Sequence, residues 1–302
     1  MSYESKKIML IVNPSSGKGK SIDLLPVIDK KFSGMGVKTD IKITENIQQA
    51  SEIARLASQC GYKRIAAMGG DGTVNMVAAG LLNSNSILAV IPAGIGNGFF
   101  KQLKIKDDID SICQAAAFGK QIELDVGILN DQPFFNMIGI GFDAEVAIEA
   151  NKANINLGII TYLLAVYKIW KKFPTFDIKL RIDSLEIEEQ VMLAAIGIGR
   201  STGGGFFLTP NALPNDGKFD VCIVQKTNRF RIFSILPKII KGTHIRQPEV
   251  KVYRCRQLEI FSEQSLPVHY EGETFINNNG RLSIKMSANK LKTTSGVKTV
   301  DD

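Results

Sequence analysis

The stretch RIAAMGGDGTVNMVAAGLL, residues 64–82, predicts a buried strand, a glycine-rich turn and a helix in direct succession. Its glycines, Gly69, Gly70 and Gly72, let the backbone approach a ligand closely. The helix that follows offers free N–H groups and a partial positive charge to a phosphate. Asp71 would repel a phosphate unless a cation lay between them, so it is a candidate for organising Mg²⁺. The alternative is a tight turn in which Thr73 caps the helix.

Two further turns of the same kind flank this stretch. NPSSGKGK, residues 13–20, follows the apolar run 7–13, and PAGIGNG, residues 92–98, follows the run 87–91. The first is not a Walker A loop, because Pro14 stands where that loop needs a glycine. With a further strand at 37–43, the alternation of strands and helices predicts a parallel sheet covered on both faces. The three loops should then share the ligand-binding edge of that sheet.

The pattern changes after about Asp125, where strand-like runs separated by turn signals dominate. We therefore predict an α/β nucleotide-binding domain over residues 1–125 and a mainly antiparallel, two-layer β domain for the substrate over 126–288. The segment 289–302 reads as a polar, frayed tail.

Composition limits the classes of partner. The chain has 302 residues, 44% of them hydrophobic, and a net charge of +7. A basic chain favours phosphorylated small molecules or anionic membranes, and we expect no nucleic-acid partner. A cluster of cations at 226–256 and a helix predicted at 157–172 could dock on anionic headgroups. A solvated basic face and a core helix are the simpler explanations. No run reaches the ~20 apolar residues of a membrane span, which favours a cytoplasmic protein, peripheral to the membrane.

Two motifs point to other chemistry and are set aside. Residues 139–144, GIGFDA, match a dinucleotide fingerprint, but no acid follows between Ala150 and Pro174. Residues 199–203, GRSTG, match a nucleophile elbow, but the following GGFF does not predict a helix. Two histidines and four scattered cysteines also make a zinc site unfavourable.

Two acidic motifs of the second domain have two readings each. Asp216 lies in LPNDGK, residues 213–218, which is either a turn or a metal site. Glu271 and Glu273 flank Gly272 and form either a charged hairpin tip or a carboxylate pair that supplies a general base.

The order and spacing of these motifs resemble the diacylglycerol-kinase catalytic family, which includes bacterial soluble lipid kinases and their sphingosine- and ceramide-kinase relatives. The resemblance covers roughly residues 6 to 287. It is carried by residues 13–18, 69–80, 92–97, 125–127, 136–143, 210–217 and 272–273. It implies a phosphofructokinase- or NAD-kinase-like first domain and a β-rich second domain.

The same resemblance implies the site residues. ATP would be bound by Asn13, Pro14, Ser15, Ser16, Gly17, Thr44, Gly69, Gly70, Asp71, Gly72, Thr73, Gly96 and Asn97. A structural Mg²⁺ would be held by the Asp216 side chain and the backbone carbonyls of Leu213 and Lys218, with Asp125 linking it towards the active centre. Glu273, or its neighbour Glu271, would accept the proton of the substrate hydroxyl.

The chain departs from the family pattern at four positions. Met76 replaces a glutamate, Ile95 a threonine or serine, Gly98 an aspartate of many members, and Glu271 an aspartate. These changes leave the efficiency of the enzyme and its substrate open.

Three functions are therefore compared. The first is ATP-dependent phosphorylation of a hydroxyl of diacylglycerol, a related glycerolipid or a sphingoid lipid. The second is NAD kinase, which shares the GGDGT motif, although Asn13-Pro14 and Asp216-Gly217 favour the lipid branch. The third is a nucleotide- or lipid-binding homologue that has lost turnover. The oligomeric state is open, and a homodimer is one option.

Overall fold

The computed structural model describes residues 7–94, 96–152, 159–172, 174–202, 205–228 and 230–296. Two compact units emerge. One contains the residues up to Leu124 together with those from Ala288 onward, and the other runs from Asp125 to Ser287.

The first unit begins as an alternation of strands and helices. Its elements up to Leu124 are β1 (Lys7–Val12), α1 (Lys20–Gly34), β2 (Lys38–Ile43), α2 (Gln49–Gln59), β3 (Arg64–Gly69), α3 (Asp71–Leu81), β4 (Ile87–Pro92), α4 (Gly98–Gln102), α5 (Ile109–Phe118) and β5 (Gln121–Leu124). The four strands β1 to β4 pair in parallel. Apolar residues fill β1, β3 and β4 because helices cover the sheet, and Leu10, Ile11, Ile65 and Ala66 are fully buried. The edge strand β2 is mostly polar and largely exposed.

The second unit is dominated by strands. Its elements are β6 (Gly127–Leu129), β7 (Gln132–Phe134), β8 (Met137–Gly141), α6 (Phe142–Asn151), α7 (Ile159–Lys172), β9 (Phe176–Ile182), β10 (Leu185–Gly197), β11 (Phe219–Gln225), α8 (Arg231–Ile240), β12 (Val250–Cys255), β13 (Gln257–Phe261), β14 (Leu266–Tyr270), β15 (Glu273–Asn277) and β16 (Arg281–Met286). The apolar run at 134–140 is divided between two strands, since β7 ends at Phe134 and β8 begins at Met137.

These strands form one 11-stranded sheet in the order β15-β14-β8-β10-β9-β13-β16-β6-β7, with β11 pairing with β10 and β12. All its pairs are antiparallel, which confirms the predicted fold class. One apolar core is formed by side chains from strands along the whole sheet. Within it the rings of Phe134 on β7 and Phe219 on β11 are stacked, with their centroids 5.6 Å apart. A second core packs the helices α6, α7 and α8 against the other face of β10 and β11.

The last strand corrects the prediction for the C-terminus. Residues 289–302 were expected to be a polar tail, but Leu291–Thr294 forms β17. It pairs in parallel with β4 and antiparallel with β5, which gives the first unit a mixed sheet of order β2-β1-β3-β4-β17-β5. The hydroxyl of Thr293 donates to the Leu88 carbonyl at 3.0 Å. The segment is ordered because it completes the hydrogen bonding of two strand edges.

Candidate functional site

The predicted loops of the first unit leave neighbouring parallel strands at the same edge. Val12 pairs with Met68 and Gly69 pairs with Pro92, so β1, β3 and β4 end side by side. The Asn13 N–H continues this ladder to the Met68 carbonyl at 3.1 Å. The structure therefore brings the three loops together at the carboxyl edge of the sheet, where open α/β folds bind ligands.

Polar side chains join the first loop to the second. The Asn13 Nδ2 donates to the Thr73 Oγ1 at 3.0 Å, and the Ser16 and Thr73 hydroxyls lie 3.5 Å apart. The Ser16 Oγ accepts the Gly70 N–H at 3.3 Å. Thr73 is only 1% exposed, and its hydroxyl joins the two loops, whereas the start of α3 at Gly70 has no side-chain cap.

The third loop lies directly against the second. A side-chain carbon added at Gly94 would lie 2.5 Å from the Cα of Gly70, so the backbones touch. Asn97 holds the Gly94 turn by exchanging two hydrogen bonds with its backbone, at 3.2 and 3.1 Å. The Asp71 Oδ1 accepts the Phe99 N–H at 3.0 Å, which ties the start of α3 to the start of α4.

This surface matches the chemistry of a nucleotide phosphate. The N–H groups of the first turn of α3 have no partner within the helix, and they begin directly after the Gly70 turn. Of the remaining predicted residues, Pro14, Ser15, Gly17 and Gly96 lie in the turns, Gly69 ends β3 and Gly72 lies in the first turn of α3. Thr44 differs, because it is 2% exposed and its hydroxyl donates inward to the Val12 carbonyl at 3.3 Å.

The departures from the family pattern lie around these turns. Met76 is half-buried on α3, and Gly98 is buried at the start of α4. Ile95 lies outside the described residues. Neither Met76 nor Gly98 can supply a charged side chain to a nucleotide.

The predicted metal turn in the second unit is held by hydrogen bonds and ion pairs of the protein. The Asp216 Oδ1 accepts the Lys218 N–H at 3.1 Å, and its Oδ2 forms an ion pair with Arg254. The buried Asp125 accepts the Gly217 N–H at 2.6 Å. Among the described residues no group of three or more His, Cys, Asp or Glu side chains could hold a metal. In this structure Arg254 binds the Asp216 carboxylate, so a Mg²⁺ held there by the predicted donor set would have to displace the guanidinium.

The acid pair at the end of β14 has divided tasks. The Glu271 Oε1 accepts the N–H groups of Phe135 and Asn136, each at 2.8 Å, and so anchors this end of β14 to the segment before β8. The Glu273 side chain is exposed and makes no hydrogen bond or ion pair with the described residues. Glu271 therefore has a structural task, whereas Glu273 is accessible to a ligand.

The structure adds a histidine–aspartate pair that the sequence reasoning missed. The Nδ1 of His269 lies 3.1 Å from the Oδ2 of Asp143, which is 5% exposed on its side chain. A side-chain carbon at Gly139 would lie 2.1 Å from that Oδ2, so only glycine leaves room for the carboxylate. Burial lowers the pKa of His269, but the hydrogen bond and charge of Asp143 and the charge of Glu271 outweigh it and raise the pKa overall. The sequence signal was GIGFD itself, which forms the turn from β8 to α6 rather than a dinucleotide fingerprint.

The second rejected motif also has a structural use. Within GRSTG, the Gly199 carbonyl accepts the Thr209 hydroxyl at 2.7 Å and the Gly199 N–H donates to the Asn136 carbonyl at 3.0 Å. Gly203 lies outside the described residues. No helix follows at 205–208, so the arrangement of a nucleophile elbow is not formed there.

Comparison with known proteins supports one family over both units. The model of the diacylglycerol kinase catalytic domain matches residues 7–129, and that of the YegS C-terminal NAD kinase beta sandwich-like domain matches 136–289. The diacylglycerol kinase of Staphylococcus carnosus (strain TM300) is 28% identical over 271 residues, which cover 89% of each chain.

Solved structures share the fold. The crystal structure of a diacylglycerol kinase from Bacillus anthracis str. Sterne has a TM-score of 0.73 at 21% identity and covers 96% of this chain and 97% of that chain. Another crystal structure from the same strain has a TM-score of 0.77 at 23% identity, with the same coverage. Since the second family model alone matches half of the chain, and the first matches most of the rest, the chain belongs to the diacylglycerol-kinase family, with a catalytic domain followed by a YegS-type C-terminal domain.

Proposed function

We propose that this protein is an ATP-dependent lipid kinase that phosphorylates a hydroxyl of diacylglycerol, a related glycerolipid or a sphingoid lipid. The observation that carries the proposal is the contact between the Gly70 and Gly94 turns at the start of α3. Backbone N–H groups there bind the ATP phosphates, and Asp71 organises the accompanying Mg²⁺. When bound, Mg²⁺ neutralises phosphate charge.

We assign the role of proton acceptor to Glu273, the first residue of β15. Glu273 takes the proton from the acceptor hydroxyl as its oxygen bonds to the γ-phosphorus, and ADP leaves with the bridging oxygen. Glu271 positions the β14–β15 turn by accepting the N–H groups of Phe135 and Asn136. A lipid acceptor is supported by the curated relatives, which are named diacylglycerol kinases.

The helix α7 supports docking on a membrane. Among the described residues no helix is both long and apolar enough to span a bilayer. On α7, however, Leu164 is 56% and Tyr167 50% exposed, and Phe230, which packs edge-on against Trp170, is 66% exposed. Lys171 lies over the Tyr167 ring at 4.7 Å. Exposed apolar side chains bordered by lysines match the boundary between headgroups and acyl chains.

Part of the basic segment 226–256 is paired with acids of the protein. Arg231 pairs with Glu249 at 2.6 Å, and Lys251 pairs with Glu189. Arg254 pairs with Asp216, and Arg229 lies outside the described residues. These three paired cations attract headgroups weakly, and we centre the docking on α7 and Phe230 because their exposed apolar side chains are bordered by lysines.

Sedimentation with vesicles tests this docking. The wild type should bind vesicles that contain anionic lipid, and this binding should weaken as salt is added. It should bind neutral vesicles poorly. Leu164→Asp should reduce binding about tenfold, the loss expected from ~1.5 kcal/mol of apolar burial. Leu185→Asp is the matched control, since Leu185 is exposed on β10, outside this surface. Equal losses in both variants, or equal binding to neutral vesicles, would refute it.

Transfer of labelled γ-phosphate from ATP to defined acceptors tests the kinase proposal. The acceptors are diacylglycerol and a sphingoid base in mixed micelles, and NAD⁺ without lipid. Phosphorylation of either lipid is the expected result. Phosphorylation of NAD⁺ alone would identify an NAD kinase. ATP binding without transfer to any acceptor would identify a homologue that has lost turnover.

A further inference from the structure

We infer that Arg254 is the resident cation of the turn at residues 213–218 and takes the place that a structural divalent metal would fill. The inference concerns the stability of the second unit and does not rest on the proposed kinase reaction.

The pairing of two strands puts the guanidinium beside two carboxylates. Arg254 on β12 lies directly opposite Asp220 on β11 in the antiparallel ladder. The Arg254 Nη2 forms an ion pair with the Asp216 Oδ2, and the Nε lies 3.6 Å from the Asp220 Oδ2. The Asp220 side chain is 3% exposed. A buried carboxylate requires a counter-ion nearby, and Arg254 supplies it to both acids.

The rest of the turn is also organised by the protein itself. The second oxygen of Asp216 accepts the Lys218 N–H at 3.1 Å. Asp125 accepts the Gly217 N–H at 2.6 Å and donates its own N–H to the Pro214 carbonyl at 2.7 Å. The loop conformation that a metal would fix is therefore held by hydrogen bonds and one guanidinium.

Arginine and Mg²⁺ compete for the same oxygen. A Mg²⁺ bound through the Asp216 Oδ2 must displace the Arg254 Nη2 and shed part of its own tightly held water, whereas a guanidinium is weakly hydrated. Displacement would also move the positive charge away from the buried Asp220. The wild-type turn should therefore bind Mg²⁺ poorly. Without Arg254, the stability of the second unit should depend on Mg²⁺ bound at this turn.

Thermal melting without nucleotide tests this directly. The wild type should melt at the same temperature in EDTA and in millimolar MgCl₂. In EDTA, Arg254→Gln should melt roughly 3–8 °C lower, as expected when a buried carboxylate loses its partner. It should recover part of the loss in MgCl₂, and the further change Asp216→Asn should abolish that recovery. Arg256→Gln is the matched control, because Arg256 is an exposed arginine whose side chain pairs with no acid among the described residues.

Two results would overturn the inference. One is a wild-type melting temperature that rises in MgCl₂ and loses this rise in Asp216→Asn, which would show that metal already occupies the turn. The other is an Arg254→Gln variant that melts like Arg256→Gln in EDTA. If Arg254→Gln does not fold, the melting temperatures of the wild type and of Asp216→Asn still test the inference, because MgCl₂ should change neither of them. A kinase assay that fails on every acceptor leaves these melting results unaffected, so the two proposals fail separately.

Discussion

Replacing Gly94 by alanine tests whether the contact between two loops builds the nucleotide site. The added carbon would lie 2.5 Å from the Gly70 Cα and 3.0 Å from the Asn97 Oδ1. Carbon atoms in contact normally lie about 3.5–4.0 Å apart, so the two turns must separate by roughly 1 Å. A displacement of that size at a reacting group costs about 100-fold in rate. Overpacking of this kind costs about 1–3 kcal/mol of stability.

The assay is kcat/KM for ATP, together with ATP affinity by calorimetry and a thermal melt. Gly94→Ala should remain folded and lose about 100-fold in kcat/KM, because the N–H groups of the α3 start no longer face the phosphates correctly. Gly34→Ala is the control, since nothing lies within 4 Å of its added carbon at the end of α1. It should keep wild-type activity with equal or slightly higher stability.

A folded Gly94→Ala protein with wild-type kcat/KM and ATP affinity would show that the contact between the Gly70 and Gly94 turns does not build the nucleotide site. Equal losses in Gly94→Ala and Gly34→Ala would also count against this role of the contact, because only one of the two sites is crowded. The calorimetric measurement needs no turnover, so it tests the loop geometry even if the acceptor is still unknown.

Three further predictions concern charged groups. Asp71→Asn should fold normally and lose at least ~100-fold in turnover, measured by steady-state kinetics, because Asp71 is expected to organise the metal–nucleotide complex. Glu273→Gln should lose ~10²–10⁴-fold in lipid phosphorylation while its ATP affinity stays unchanged. Glu271→Ala should lower the melting temperature, because it removes the acceptor of two backbone hydrogen bonds. If Glu271→Ala abolishes phosphorylation and Glu273→Gln lowers the melting temperature instead, the two roles are exchanged. The pKa of His269 is raised above its usual 6.5 in the folded protein, so the stability from its pairing with Asp143 is present in full below about pH 6.5 and lost as pH rises through the folded value. The melting temperature of Asp143→Asn should therefore approach that of the wild type as pH rises through this range, and a gap that widens instead would contradict the assignment.

The order of the nucleotide loops could be predicted from local sequence. Each loop follows a run of buried apolar residues and precedes a helix, and parallel strands must end at one edge. Asn13, Gly70 and Gly94 were therefore expected together, and the registers of β1, β3 and β4 place them there. For Asp216, Glu271 and Glu273 the local pattern left a structural and a functional role equally open, and the family resemblance favoured the functional one.

The C-terminal strand could not be predicted in the same way. Leu291–Thr294 reads LKTT, which carries one large apolar residue and no alternation strong enough to distinguish a strand from a tail. It is ordered by what surrounds it, since β4 and β5 each present an unpaired edge. Their hydrogen-bonding groups are satisfied only when this segment lies between them.

The two-part architecture, the glycine turns after β1, β3 and β4, and the family could all be predicted from local sequence, because periodicity and turn chemistry are properties of neighbouring residues. Which charged side chains pair depends on the three-dimensional fold. Asp143 and His269 are 126 residues apart, and Asp216 and Arg254 are 38 apart. The first pair forms because β8 and β14 are neighbours and Gly139 leaves space for a carboxylate. The second forms because β11 pairs with β12 in a register that puts Arg254 opposite Asp220. Strand register is fixed by the packing of whole sheets, so no reading of either segment alone could assign these partners.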